Sequence, residues 1–192
     1  MAAAAPPPPP TGPLAEWPCQ ARAAQDLTLA SIYSKPLTLP AGSQDWQADS
    51  PVKALVNFIA APENGPEQGR ARIAAFGAAA GPDREARLDL TLVGLVVRTN
   101  EFRGIVAYGV REKVQKSEFL AGFLTDARKA VENLPAKEAP AMREMLEKDR
   151  LAKAHALGEN AEDAALLCHR LDYTESKAKS LADAIGEQIE AK

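Results

Sequence analysis

The sequence predicts an all-α fold: short N-terminal helices, then a long antiparallel helical hairpin of coiled-coil type, with an extended N-terminal strap. Three observations carry this. Aromatics are only 5% of a chain that is 46% hydrophobic, so the apolar content is mostly Ala, Leu and Val, a mixture that favours helices over sheets. Apolar residues recur at alternating steps of four and three along two stretches of roughly 50 residues each. The prolines fall at the edges of these stretches rather than inside them, where they would break a helix.

The length of 192 residues predicts one domain with a tail. The tail, residues 1–16, begins with Met1 and four alanines and continues through Pro6 to Pro10, a composition of polyproline or disordered chain. It has neither the basic start nor the apolar run of a secretory signal. It therefore reads as a mature N-terminus with an added Met1, or as a native cytosolic start. Residues 17–48 form the strap, broken up by Pro18, Pro36, Pro40 and Gly42, and anchored by Trp17, Tyr33 and Trp46. Residues 49–192 form the helical domain.

Its first helix starts at Ser50-Pro51, with Ser50 as cap and Pro51 at the first position, and runs to about Ala61. Val52, Leu55, Val56 and Ile59 make the buried stripe. A second helix starts at Pro66, turns Ile73 and Phe76 inward and ends before Gly81. The hairpin arms occupy about 83–134 and 141–190, each about 75 Å long if unbroken. Leu88, Leu92, Leu95, Thr99, Phe102 and Val106 form the seam of the first arm. Val110 and Val114 continue it by steps of four, a stutter that locally unwinds the supercoil. Leu120, Phe123, Ala127, Ala130 and Leu134 then restore the pattern. The second arm carries Met142, Met145, Leu146, Ala154 and Leu157, then Ala161, Ala164, Cys168, Leu171, Ala178, Ala182, Ile185 and Ile189. Gly104, Gly109 and Gly158 are natural bend points. Gly77 and Gly94, with Gly104 and Gly109, allow close helix contact.

A cysteine beside Trp17-Pro18, the run Asp49-Ser50-Pro51-Val52-Lys53-Ala54-Leu55-Val56, Gly81-Pro82-Asp83-Arg84, and Gly94-Leu95-Val96-Val97-Arg98-Thr99-Asn100-Glu101 precede a long charged hairpin and a second cysteine. In this order the chain resembles a group of uncharacterised exported proteins of Gram-negative bacteria, over most of its length after residue 15. The resemblance implies a periplasmic helical protein and supplies no catalytic residues.

Cys19 and Cys168 are the only cysteines. In an oxidising compartment they read as a disulfide that clips the strap to the last helix, where loop-closure entropy supplies about 4–5 kcal/mol. In a reducing one they read as two small buried hydrophobes. The clip suits a strap with too few apolar residues to dock firmly by itself.

Several function classes are excluded. A net charge of −3 gives no broad positive field for nucleic acid. No apolar run is long enough to span a bilayer. His155 and His169 lie about 21 Å apart along a helix, too far to share a metal, and no CxxC or HExxH spacing occurs. Cys168 and His169 point about 100° apart, which rules out a thiol–imidazole nucleophile. The glycines around Gly65–Gly69 and Gly77–Gly81 follow no strand and match no phosphate loop. Glu159, Glu162 and Asp163 form a solvated acidic face. Arg111, Lys113 and Lys116 face solvent or receive an acidic partner.

The polar cluster Arg98, Thr99, Asn100, Glu101 and Arg103 interrupts the most apolar helix. It forms either a buried layer that fixes register, with Arg98 paired to Glu101, or the lining of a ligand pocket. The expected function is a non-enzymatic periplasmic or secreted scaffold, adaptor or accessory subunit that binds a protein partner, with no cofactor and no metal. A cytoplasmic location and a small-molecule or lipid-binding helical domain are the alternatives. A cavity lined by Leu92, Val96, Phe76 and Tyr108 would favour the ligand-binding reading; a filled core with an external apolar stripe would favour the partner reading. The sequence leaves the oligomeric state open.

Overall fold

The computed structural model describes residues 17–19, 26–38, 45–134 and 140–191. The predicted tail and the turn at 135–139 lie outside the described residues, as do parts of the strap. The described residues are helical and contain no strand: α1 (Leu29–Ile32), α2 (Ser50–Ala60), α3 (Pro66–Ala79), a 3-10 turn (Gly81–Asp83), α4 (Arg84–Asn133) and α5 (Pro140–Glu190). Helices α4 and α5 each run through their predicted bend glycines as one helix. The chain falls into two compact units, Ala21–Ile105 with Arg170–Lys192, and Met1–Gln20 with Val106–His169.

The first of these units holds the main core. Asp49, not Ser50, caps α2, its Oδ1 accepting from Val52 N at 3.0 Å while Oδ2 receives Arg87 Nε at 3.0 Å. One carboxylate thus starts α2 and ties it to α4. Val52, Leu55, Val56 and Ile59 form the buried stripe as expected. At the start of α3, Pro66 supplies a fixed φ and Gln68 Oε1 accepts from Gly65 N. The helix ends before Gly81, whose φ of +66° is the left-handed conformation that glycine adopts without strain. Leu55, Ile59, Ile73, Leu88, Leu92, Leu95, Leu181 and Ile185 are fully buried together, and the strap adds Ile32. Each such side chain contributes about 1.5–3 kcal/mol on leaving water. A side cluster of Trp46, Val52 and Val56 packs against Leu90 and Val93.

Burial moves the stutter from its predicted place. Leu95, Thr99 and Arg103 are buried at two successive steps of four, so the phase shifts at the polar cluster. From Arg103 the alternation then holds through Val106, Val110, Lys113, Ser117, Leu120, Leu124 and Ala127. The seam of α5 needs no shift, running through Leu157, Asn160, Ala164, Leu167, Leu171, Thr174, Ala178, Leu181 and Ile185. Several expected seam residues are displaced by this phase. Ala130 and Ala161 are exposed, as are Met142, Met145 and Ala154, because the seam positions beside them are taken by the buried Asn160 and the half-buried Val131, Arg143, Leu146 and Lys153.

In the second unit α4 and α5 run antiparallel. Leu167 packs at Gly109, Asp163 pairs with Lys113, Asn160 bonds at Ser117, and Lys153 lies 5.6 Å from the Phe123 ring centre. A forward step along α4 is met by an equal backward step along α5. Asn160 sits in this seam, its Nδ2 donating to the Lys113 carbonyl and to Ser117 Oγ. A polar group at a seam position penalises any slipped register in which it loses its partners.

Glycine contacts separate into two kinds. A Cβ at Gly94 would stand 2.7 Å from Val56 and 2.9 Å from Trp46, whereas one at Gly104 would meet nothing within 4 Å. Gly94→Val is therefore expected to destabilise by about 2 kcal/mol or more through overpacking. Gly104→Ala should stabilise by about 0.5–1 kcal/mol through helix propensity alone. Urea denaturation of both variants checks the pair of signs.

Candidate functional site

The polar cluster on α4 divides because successive helical residues point about 100° apart. Arg98 and Glu101 pair with each other on the exposed face. Thr99, Asn100 and Arg103 turn away from it. Arg103, with its side chain only 7% exposed, donates to Glu175 Oε1 of α5 from Nε at 2.9 Å and from Nη2 at 2.8 Å. Its Nη1 also reaches Asn100 Oδ1 at 3.3 Å.

Asn100 in turn grips the strap. Its Oδ1 accepts from Leu27 N and its Nδ2 donates to Leu27 O, both at 2.8 Å, so one amide satisfies both backbone groups of a residue outside any helix. Asp89, almost wholly buried, does similar work: Oδ2 accepts from Thr38 N and from Thr38 Oγ1, each at 2.7 Å. The two anchors are eleven residues apart in the strap and eleven apart in α4, in opposite order, so this part of the strap runs antiparallel to the helix. Between them α1 makes a single helical turn, which interrupts the predicted extended course. Tyr33 leans on Gly186 of α5, and burial, then the charges of Asp89 and Glu85, push its hydroxyl above the usual tyrosine range. The strap therefore docks through its own hydrogen bonds and apolar contacts, not only through a covalent tie.

Cys19 and Cys168 lie at bonding distance, with sulfurs 2.05 Å and Cα atoms 5.0 Å apart. Both belong to the second unit. Lys113 pairs with Asp163 at 2.6 Å, and its hydrogen bond and charge hold that carboxyl below its ordinary value. His155 faces Glu159 one helical turn away at 3.5 Å. Among the described residues no three His, Cys, Asp or Glu side chains are grouped so as to hold a metal, and no helix is long and apolar enough to cross a membrane.

Two surface features remain. In the second unit Phe119, Met142, Met145 and Leu166 are exposed, Phe119 at 71%. Each immediately precedes a seam position: Leu120, Arg143, Leu146 and Leu167. Reversing one helix of a pair keeps the flank before the seam on the same side, so these four share one face. In the first unit a groove of about 440 Å³ is bounded by Pro62, Phe102 and Tyr173, with Arg170 and Lys177 in its wall. Lys177 is almost wholly buried and its Nζ donates to the carbonyl of Ala61 at the end of α2 at 2.6 Å.

The chain matches no family model, and comparison with curated proteins and with solved structures returns no match. Asp89 and Lys177 carry no sequence signal as anchors, because each is a lone charge on an apolar face whose partner lies far away in the chain. The exposed apolar face was concealed by a pattern that counted Met142 and Met145 among the apolar positions of the arm.

Two expectations follow from the divided cluster and the Lys113 pair. Arg98→Ala should cost no more than about 0.5 kcal/mol in urea denaturation, while Arg103→Ala, which strands Glu175, should cost roughly 3 kcal/mol. In Lys113→Gln, the Asp163 titration followed by carbon-13 NMR should move up toward the ordinary aspartate range. A depressed carboxyl stabilises above its unfolded pKa and loses that contribution as pH falls through its folded pKa. The variant and the parent should therefore converge in stability at the acid end.

Proposed function

We propose that this protein is a non-enzymatic helical scaffold, adaptor or accessory subunit that acts in an oxidising envelope compartment and binds a protein partner. The observation that carries the proposal is the exposed face of Phe119, Met142, Met145 and Leu166. A face of large apolar side chains is costly to leave in water, and on soluble proteins such patches mark interaction surfaces. The Cys19–Cys168 pair supports the compartment, since disulfides persist where thiols are not kept reduced. The placement of the four residues expected to line a ligand cavity supports partner binding: Leu92 is fully buried in the core, Val96 and Phe76 pack against it, and Tyr108 is exposed. The paired polar layer at Asn100 and Arg103 is already occupied by the strap and Glu175.

The test is isolation of the untagged protein from its native envelope under mild conditions. The parent is expected to recover a stoichiometric protein partner, and a Phe119→Ser, Met145→Ser variant with unchanged helicity is expected to lose it. Recovery of a lone monomer contradicts the reading. Two free thiols in envelope-derived protein, measured by mass under non-reducing conditions, contradict the compartment.

A further inference from the structure

The groove beside Lys177 belongs to the first unit and differs in chemistry from the exposed apolar face of the second. An ammonium carries three donors and no acceptor. At Lys177 one donor goes to the Ala61 carbonyl, which caps α2 across the unit, since α2 has no basic residue in its own last turn. The side chain is only 7% exposed, and among the described residues no carboxylate forms an ion pair with it. A lysine that served only as a cap would keep its charged head in water, as long cationic side chains ordinarily do. This one is buried along most of its length, with its Nζ on the Ala61 carbonyl and Glu63 near enough for its charge to favour the ammonium.

The rest of the groove is cationic on one side and apolar on the other. Arg170 adds a second cation, while Pro62, Phe102 and Tyr173 offer ring and aliphatic surface; the Thr174 hydroxyl donates to the Arg170 carbonyl. Glu63 at the exposed rim is the only acid in the lining. We propose that this groove binds a small organic carboxylate with an aromatic or aliphatic body, its anionic end between Lys177 and Arg170 and its body against Phe102 and Tyr173. Carboxylate oxygens suit two convergent cations, and charge-assisted bonds to a poorly hydrated ammonium are stronger than the same bonds in water. A volume of about 440 Å³ is within the range of small-ligand sites. Burial holds Lys177 below the usual lysine range, opposed by the charge of Glu63, and an arriving carboxylate would relieve the same cost.

Phenylacetate is a suitable probe, with phenylacetamide as its neutral match and inorganic phosphate as an anion without a body. In nitrogen-15 NMR titrations of the full chain, phenylacetate is expected to give saturable shifts at Ala60, Glu63, Tyr173, Thr174 and Lys177, with Kd on the order of 1 mM. Phenylacetamide should bind about tenfold more weakly or not at all. Lys177→Met keeps the buried stem and should lose about tenfold in affinity. Arg170→Gln, an exposed change that does not threaten the fold, should weaken binding about threefold. Glu63→Gln removes the opposing charge and should tighten binding about twofold. Absence of saturable shifts overturns the proposal. So does equal binding of the amide, or affinity unchanged in both Arg170→Gln and Lys177→Met. Equal binding of phosphate overturns the assigned ligand class, because the apolar wall would then contribute nothing.

Discussion

Among the described residues the strap has no sheet to pair with, and its backbone must nevertheless give up water where it crosses the helices. That constraint is met by two side chains of α4. Asn100 takes both backbone groups of Leu27, and Asp89 takes the amide and hydroxyl of Thr38. Bonds of this kind, to a charged or amide side chain at a partly buried position, each contribute about 0.5–1.5 kcal/mol. With these ends fixed, Ile32, Tyr33 and Leu37 are laid on the cluster of Leu88, Leu92, Leu95 and Ile185. The core of this unit is completed by a segment that has little regular structure of its own.

The same principle recurs at helix ends. The last carbonyls of α2, α4 and α5 find no basic residue in their own final turns. Cations from elsewhere supply the donors: Lys177 to Ala61, Arg143 to Leu134, and Arg84 to Gln188 and Ala191. Each of these contacts satisfies carbonyls the helix leaves open and also favours its negative end. The seam follows a related logic. Where α4 changes phase, the buried residues Thr99 and Arg103 are polar and Arg103 is paired with Glu175; where the hairpin continues, Asn160 pins it to Lys113 and Ser117.

The helices themselves were legible, because proline, glycine and the four-and-three spacing are local signals. The start of α2, the bounds of α3 and the two long helices follow from them almost to the residue. The position of the stutter was not legible: Phe102 and Arg103 both continue a helix, and only packing against Glu175 selects the arginine as the inward residue. For the same reason Asn160 displaces Ala161 from the seam, since its amide gains partners on α4 that hydrophobicity alone cannot score. The Arg98–Glu101 pair was readable from its spacing of three, but the link from Asn100 to Leu27 spans 73 residues and no local pattern encodes it. The cysteine pair was readable from its count. Nothing local marks Lys177, because the Ala61 carbonyl it meets lies 116 residues away in the chain.

Helix α4 holds the strap through side-chain hydrogen bonds to its backbone, and native-state hydrogen exchange reads those bonds directly. The amides of Leu27 and Thr38, bonded to Asn100 and Asp89, should exchange far more slowly than unstructured peptide, and more slowly than those of Ser34 and Lys35 between them. If Leu27 and Thr38 exchange at the rates of unstructured chain, α4 does not hold the strap in this way.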